Sequence, residues 1–201
     1  SHSSNEALVS WGVAFLDYDN DGWLDTYIAA GNKTDMGSDI ITDPVKQPNG
    51  LFHNNQDGTF VDVSGLSGAD SDDRSRIVAI GDYDNDGCLD IFVGNFKGPT
   101  ALYRNECGPN NWIAIHPEGV ESNRDGIGAR VLITSGGITQ MREIRSGGKH
   151  GSGSEIGAYF GLGNSTRADM IEVYWPSGRV DYLYDVPANQ KLHIVEEVEN
   201  S

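Results

Sequence analysis

An all-β fold follows from three features of the sequence. Short apolar runs are separated by turn residues, 26 glycines and 7 prolines are spread over 201 residues, and helical periodicity is absent. The strand-like runs also recur in pairs, each pair joined by the same nine-residue acidic stretch. A chain of this length has room for one large domain or two small ones.

Residues 1–10 are read as a tag or disordered lead-in. The alternating run Gly12-Val13-Ala14-Phe15 then enters Asp17-Tyr18-Asp19-Asn20-Asp21-Gly22-Trp23-Leu24-Asp25, and an exit strand follows over Leu24–Ala29. A polar insert occupies residues 32–50, ahead of Leu51-Phe52-His53-Asn54. Asp57-Gly58 then forms a tight turn into residues 59–63. At an offset of 65 residues the pattern returns as Ile77-Val78-Ala79-Ile80, Asp82-Tyr83-Asp84-Asn85-Asp86-Gly87-Cys88-Leu89-Asp90 and an exit strand over Leu89–Gly94. Leu102-Tyr103-Arg104-Asn105 repeats the Leu51 motif after a loop of only five residues, 96–100. Each repeat therefore holds about four strands, the size of a β-propeller blade, with boundaries near 11–65 and 76–108.

Each acidic stretch places carboxylates at loop positions 1, 3, 5 and 9 and glycine at position 6, where a side chain would block the turn. That alternation wraps oxygens around a hard cation. Calcium takes six to eight of them at about 2.3–2.6 Å, commonly with a backbone carbonyl from position 7. The expected ligands are Asp17, Asp19, Asp21, Trp23 (carbonyl) and Asp25 in one loop, and Asp82, Asp84, Asp86, Cys88 (carbonyl) and Asp90 in the other. An EF-hand is excluded, because Ile28 and Val93 stand where it needs a bidentate Glu. The competing account is a polar Asn-Asp-Gly hairpin turn. Four Asp within nine residues, twice over, favour two Ca²⁺ ions, one per loop.

Cys88 and Cys107 are the only cysteines. If Ile91 pairs with Arg104 across the second hairpin, Cys88 faces Cys107 and the two can form a disulfide. Two unrelated thiols are the alternative.

Composition shifts at Gly108-Pro109-Asn110-Asn111, and residues 109–198 read as a second β domain. Its strand candidates are Trp112–His116, Ala129–Thr134, Thr139–Arg145, Ala158–Gly161, Met170–Tyr174, Val180–Tyr184 and Lys191–Val195, enough for a β-sandwich or barrel. No nucleophile elbow surrounds Ser152 or Ser154, and no zinc-ligand spacing is present. His53, His116 and His193 fall in strand patterns and read as packing or surface residues. Arg124, Arg130, Arg142 and Arg145 could form an anion or glycan patch if strand alternation brings them together.

The two repeats resemble FG-GAP/VCBS repeats on their Asp-x-Asp-x-Asp-Gly-x-x-Asp cores. The second domain resembles the ASPIC/UnbV domain. The residues that carry this are Ser122–Arg130, Arg142–Gly147, Phe160-Gly161-Leu162-Gly163 and Val173–Gly178. The departure is Lys149–Ser154, where a more apolar turn is expected. The resemblance, to a cartilage acidic protein-like family, implies propeller blades stiffened by calcium and a C-terminal β domain. Two blades cannot close a propeller, so further blades upstream, the second domain or another copy of the chain would cover their faces.

A net charge of −16 argues against nucleic acid or an anionic membrane as partner, and two Ca²⁺ ions would still leave −12. No apolar run approaches the ~20 residues of a membrane span. The expectation is a secreted or cell-surface, non-catalytic adhesion or ligand-binding module, with a protein or glycan ligand. The alternatives are a scaffold or accessory domain of an enzyme acting on extracellular polysaccharide, and a structural capping module.

Overall fold

The computed structural model of the protein describes residues 9–31, 47–147 and 153–198. Fourteen strands and one four-residue helix make up the regular structure among them. The first repeat is an antiparallel sheet of four strands in sequential order, β1 (Ser10–Leu16), β2 (Asp25–Ala30), β3 (Gly50–Asn54) and β4 (Phe60–Asp62). A helical turn, α1 (Ser64–Ser67), ends at Gly68 in the left-handed conformation.

The second repeat is a sheet of β5 (Ser75–Gly81), β6 (Asp90–Asn95) and β7 (Ala101–Tyr103). It has three strands rather than the expected four. The offset of 65 residues holds in detail. β1 and β5 are displaced by that amount, and the pairing slips between Ser10 and Gly12 in one and between Ser75 and Ile77 in the other. Strand alternation buries Ala14 and Leu16 from one sheet and Val78, Ile91 and Val93 from the other. Joined by Tyr27, Ala29, Leu51 and Leu89, they form one hydrophobic core between the two sheets.

The second hairpin differs from expectation in register. Ile91 pairs with Tyr103, not with Arg104. The disulfide between Cys88 and Cys107 is nevertheless present, with Cα atoms 5.5 Å apart. Register does not govern it, because the ladder ends at Tyr103. From there the backbone turns so that Asn105 N–H bonds Asp90 Oδ1 at 2.8 Å.

All seven strand candidates of the C-terminal region are strands: β8 (Asn111–Glu118), β9 (Arg130–Ser135), β10 (Ile138–Glu143), β11 (Ala158–Gly163), β12 (Arg167–Tyr174), β13 (Val180–Pro187) and β14 (Gln190–Val195). They form a four-stranded sheet in the order β10-β9-β12-β13 and a three-stranded sheet in the order β11-β8-β14, in which β14 runs parallel to β8. Ile113, Ile115 and Phe160 from the smaller sheet pack with Val131, Ile133, Ile171 and Val173 from the larger, and Trp175 closes the core. Glu196, 2% exposed, pins the loop after β8. Its Oε2 accepts the N–H groups of Val120, Glu121 and Ser122, each at 2.8 Å, and its Oε1 accepts the hydroxyls of Ser122 and Ser177.

The arginines that alternation might have gathered go separate ways. Arg130 lies over the Tyr174 ring, Arg142 over Phe160, and Arg145 pairs with Glu143. Residues 149–152 of the Lys149–Ser154 loop lie outside the described residues. Its last residue, Ser154, accepts the N–H of Ile80 through its hydroxyl.

Candidate metal centres

Both acidic loops connect the first two strands of a blade, β1 to β2 and β5 to β6. In each, Asn-Asp-Gly forces the turn. Asn20 and Asn85 adopt φ of 57° and 65°, and Gly22 and Gly87 adopt 97° and 89°. The position-1 carboxylate folds back on the turn it begins. Asp17 Oδ1 accepts Asp21 N–H (3.0 Å) and its Oδ2 accepts Gly22 N–H (2.9 Å). Asp82 does the same with Asp86 N–H (3.1 Å) and Gly87 N–H (2.9 Å). The position-9 carboxylate ties the loop to the third strand. Asp25 accepts Tyr18 N–H and Asn54 N–H, while Asp90 accepts Tyr83 N–H and Asn105 N–H. Asn54 and Asn105 return the favour by donating their side-chain amides to Leu24 O and Leu89 O.

Three groups of side chains converge closely enough to share one ion: Asp17, Asp19 and Asp25; Asp19, Asp21 and His53; and Asp82, Asp84 and Asp86, with ligand atoms within 4.8 Å of one another. At that separation two carboxylates repel by about 3–4 kcal/mol for an effective dielectric of about 20. In the first loop the strain shows in the acidities. Burial, opposed by the Gly22 N–H and reinforced by Asp21, Asp19 and Asp25, pushes Asp17 up to about 7. Asp25 is pushed up to about 6, again mainly by burial. Asp19 and Asp90 also move up through burial, whereas the bond from Arg104 holds Asp84 down.

These residues fit a hard divalent cation. The grouped donors are chiefly carboxylate oxygens, the atoms such a cation takes. His53 Nδ1 is buried at the first loop with no hydrogen-bond partner, 3.3 Å from Asp25 Oδ1 and 3.6 Å from Asp19 Oδ2. His53 also packs edge-on against the Tyr18 ring, in line with the packing or surface role expected of it. It faces the acidic loop because β3 pairs beside β2 and projects it there.

Other contributors come from farther along the chain. Gly161 N–H in β11 bonds Asp17 Oδ2 at 3.2 Å, and Asn110 donates to Asp19 O at 2.9 Å. At the second loop, Lys191 of β14 lies 3.0 Å from Asp82 Oδ2, and Glu155 Oε2 accepts Asp82 N–H. Both loops thus face the C-terminal sheets.

Comparison with known proteins finds two families along the chain. Residues 17–93 match the family described as FG-GAP-like repeat, and residues 119–201 match the one described as ASPIC and UnbV. Over 67 residues the chain is 48% identical to cartilage acidic protein 1 of Homo sapiens, 46% to that of Mus musculus and 45% to that of Xenopus tropicalis. That stretch is 33% of this chain, and the chain spans about a tenth of the length of these curated relatives (10%). Among the described residues no helix is long and apolar enough to cross a membrane. Repeat, C-terminal domain and relatives agree: this chain carries an FG-GAP-like repeat followed by an ASPIC and UnbV domain, and is similar to cartilage acidic protein 1.

Proposed function

We propose that the chain is an extracellular, calcium-stabilised adhesion or ligand-binding module that performs no catalysis. The observation that carries this is the first loop. Asp17 and Asp25 are buried, Asp19 and Asp21 half-buried, and the four crowd together while accepting bonds chiefly from the backbone of their own turn. Such a cluster calls for a cation. Two Ca²⁺ ions are assigned, one to Asp17, Asp19, Asp21, Asp25 and the Trp23 carbonyl, the other to Asp82, Asp84, Asp86, Asp90 and the Cys88 carbonyl. The ion supplies positive charge that cancels the repulsion and fixes the turn. The protein's own residues shape the turn and tie each loop to its blade.

Residues 11–108 act as two blades and residues 109–198 as the module they support. An oxidising, calcium-rich compartment is consistent with the Cys88–Cys107 bridge and with the name of the similar cartilage acidic protein 1. The ligand is a protein or glycan at the cell surface or in the matrix. The test is metal content of the purified chain together with thermal unfolding in Ca²⁺ and in chelator. About two ions per chain and a higher melting temperature in Ca²⁺ are expected. A chain that holds no metal and melts identically in both refutes the proposal.

A further inference from the structure

The two acidic loops match at eight of nine positions and in backbone bonding, yet their charged partners differ. The difference begins at one position. Leu51-Phe52-His53-Asn54 and Leu102-Tyr103-Arg104-Asn105 occupy equivalent places, and Asn54 and Asn105 make the same two bonds to their respective loops. The residue before the asparagine is His53 in the first repeat and Arg104 in the second. In the second loop, Arg104 Nε donates to Asp84 Oδ2 at 2.6 Å and its second terminal nitrogen to Asp86 Oδ2 at 3.3 Å. From the other side Lys191 places its ammonium 3.0 Å from Asp82 Oδ2 and 2.8 Å from Asn85 Oδ1. The three carboxylates that could converge on one ion, Asp82, Asp84 and Asp86, therefore already face two fixed positive charges.

At the first loop the ion-pair partner among the described residues is His53, beside Asp19 and Asp25. Asp21 Oδ2 accepts the neutral Gln56 amide at 2.8 Å, Asp17 Oδ2 accepts the Gly161 N–H, and His53 makes no hydrogen bond through Nδ1. Arg142 interacts electrostatically with Asp17, but its N–H groups bond Met141 O and Gln140 Oε1.

We propose that Arg104 and Lys191 are built-in cations of the second loop that compete with metal for its carboxylates, so that the first loop is the tight metal site and the second a weak one. To admit a divalent ion the second loop must give up a two-pronged guanidinium pair and an ammonium contact, and both cations then lie close to the incoming charge. Among the described residues the first loop gives up neither. Lys191 belongs to β14, so filling the second loop also costs a contact between the repeats and the C-terminal domain. This inference rests on the calcium reading proposed above.

The test is calorimetric titration of the metal-stripped full chain with CaCl2, with Ca²⁺-dependent thermal shift as a second readout. The unmodified chain is expected to show two classes of site at least tenfold apart in affinity. Arg104→His and Lys191→Met should each tighten the weak class several-fold, whereas Arg104→Lys, which keeps the charge, should leave it weak. His53→Arg should weaken the tight class at least tenfold. Two equal sites in the unmodified chain, or a weak class unmoved by both Arg104→His and Lys191→Met, overturns the inference while leaving calcium binding intact. Absence of any Ca²⁺ binding in every form refutes the calcium reading and this inference with it.

Discussion

Removing metal and varying pH probes the electrostatics of the first loop directly. In the metal-free chain Asp17 is 2% exposed, and burial pushes its carboxyl from the ordinary 3.8 up to about 7. That displacement corresponds to roughly 4 kcal/mol in favour of the protonated fold over the ionised one. The folded value lies above the unfolded one. The stabilisation is therefore complete below about pH 4 and is lost as pH rises past about 7. Asp25, pushed up to about 6, adds to the same slope, although the two share neighbours and their effects do not sum. On the proposed calcium reading the ion reverses the trend, because it binds the ionised loop. At a hundredfold excess over its dissociation constant one ion returns about 2.7 kcal/mol. Urea unfolding in chelator at pH 5, 6.5 and 8, repeated with CaCl2, measures both limbs. Metal-free stability should fall by several kcal/mol from pH 5 to pH 8, and Ca²⁺ should recover most of it at pH 8 and little at pH 5. Stability that rises with pH in chelator would refute the reasoning.

Two further outcomes follow from described contacts. Replacing both Cys88 and Cys107 by Ser should lower stability by about 3 kcal/mol, the chain-entropy value for a loop of this size (19 residues), as read by urea unfolding against the oxidised chain. Glu196→Ala removes the shared acceptor of three N–H groups, those of Val120, Glu121 and Ser122, and should cost about 3 kcal/mol. Burial alone would raise the Glu196 carboxyl. The Ser177 hydroxyl and the Ser122 and Val120 N–H groups outweigh it and hold the carboxyl at about 2, so its contribution, present above pH 4.5, should disappear as pH falls towards 2.

What could be read from the sequence was whatever the chain expresses locally. The twin loops, their flanking strands and all seven C-terminal strands follow from alternation, turn residues and the offset of 65, and that offset extends to the backbone angles of Asn20 and Asn85. The hairpin register was missed by one residue because Cys107 lies past the end of β7, where side-chain bonds to Asp90 rather than ladder pairing direct the backbone. His53 carried no local sign of its role. Alternation places it on a strand face, and only the pairing of β3 with β2 turns that face to Asp25, 28 positions earlier in the numbering. Lys191 and Gly161 were invisible for the same reason at longer range, since no spacing rule links residues so far apart. The aspartates needed no such help, because four in nine residues repel each other in any conformation.

The bond from Gly161 N–H to Asp17 spans 144 positions of sequence and touches a buried corner of the first loop. It gives the protein a direction in time. As the chain leaves the ribosome, the first blade emerges with its acidic turn still lacking a donor that lies more than 140 residues downstream. At about 5–20 residues per second, the interval is on the order of ten seconds. The Asp17 turn can therefore gain its contact with β11 only after the C-terminal domain has been made, so synthesis fixes the order in which the two halves can dock.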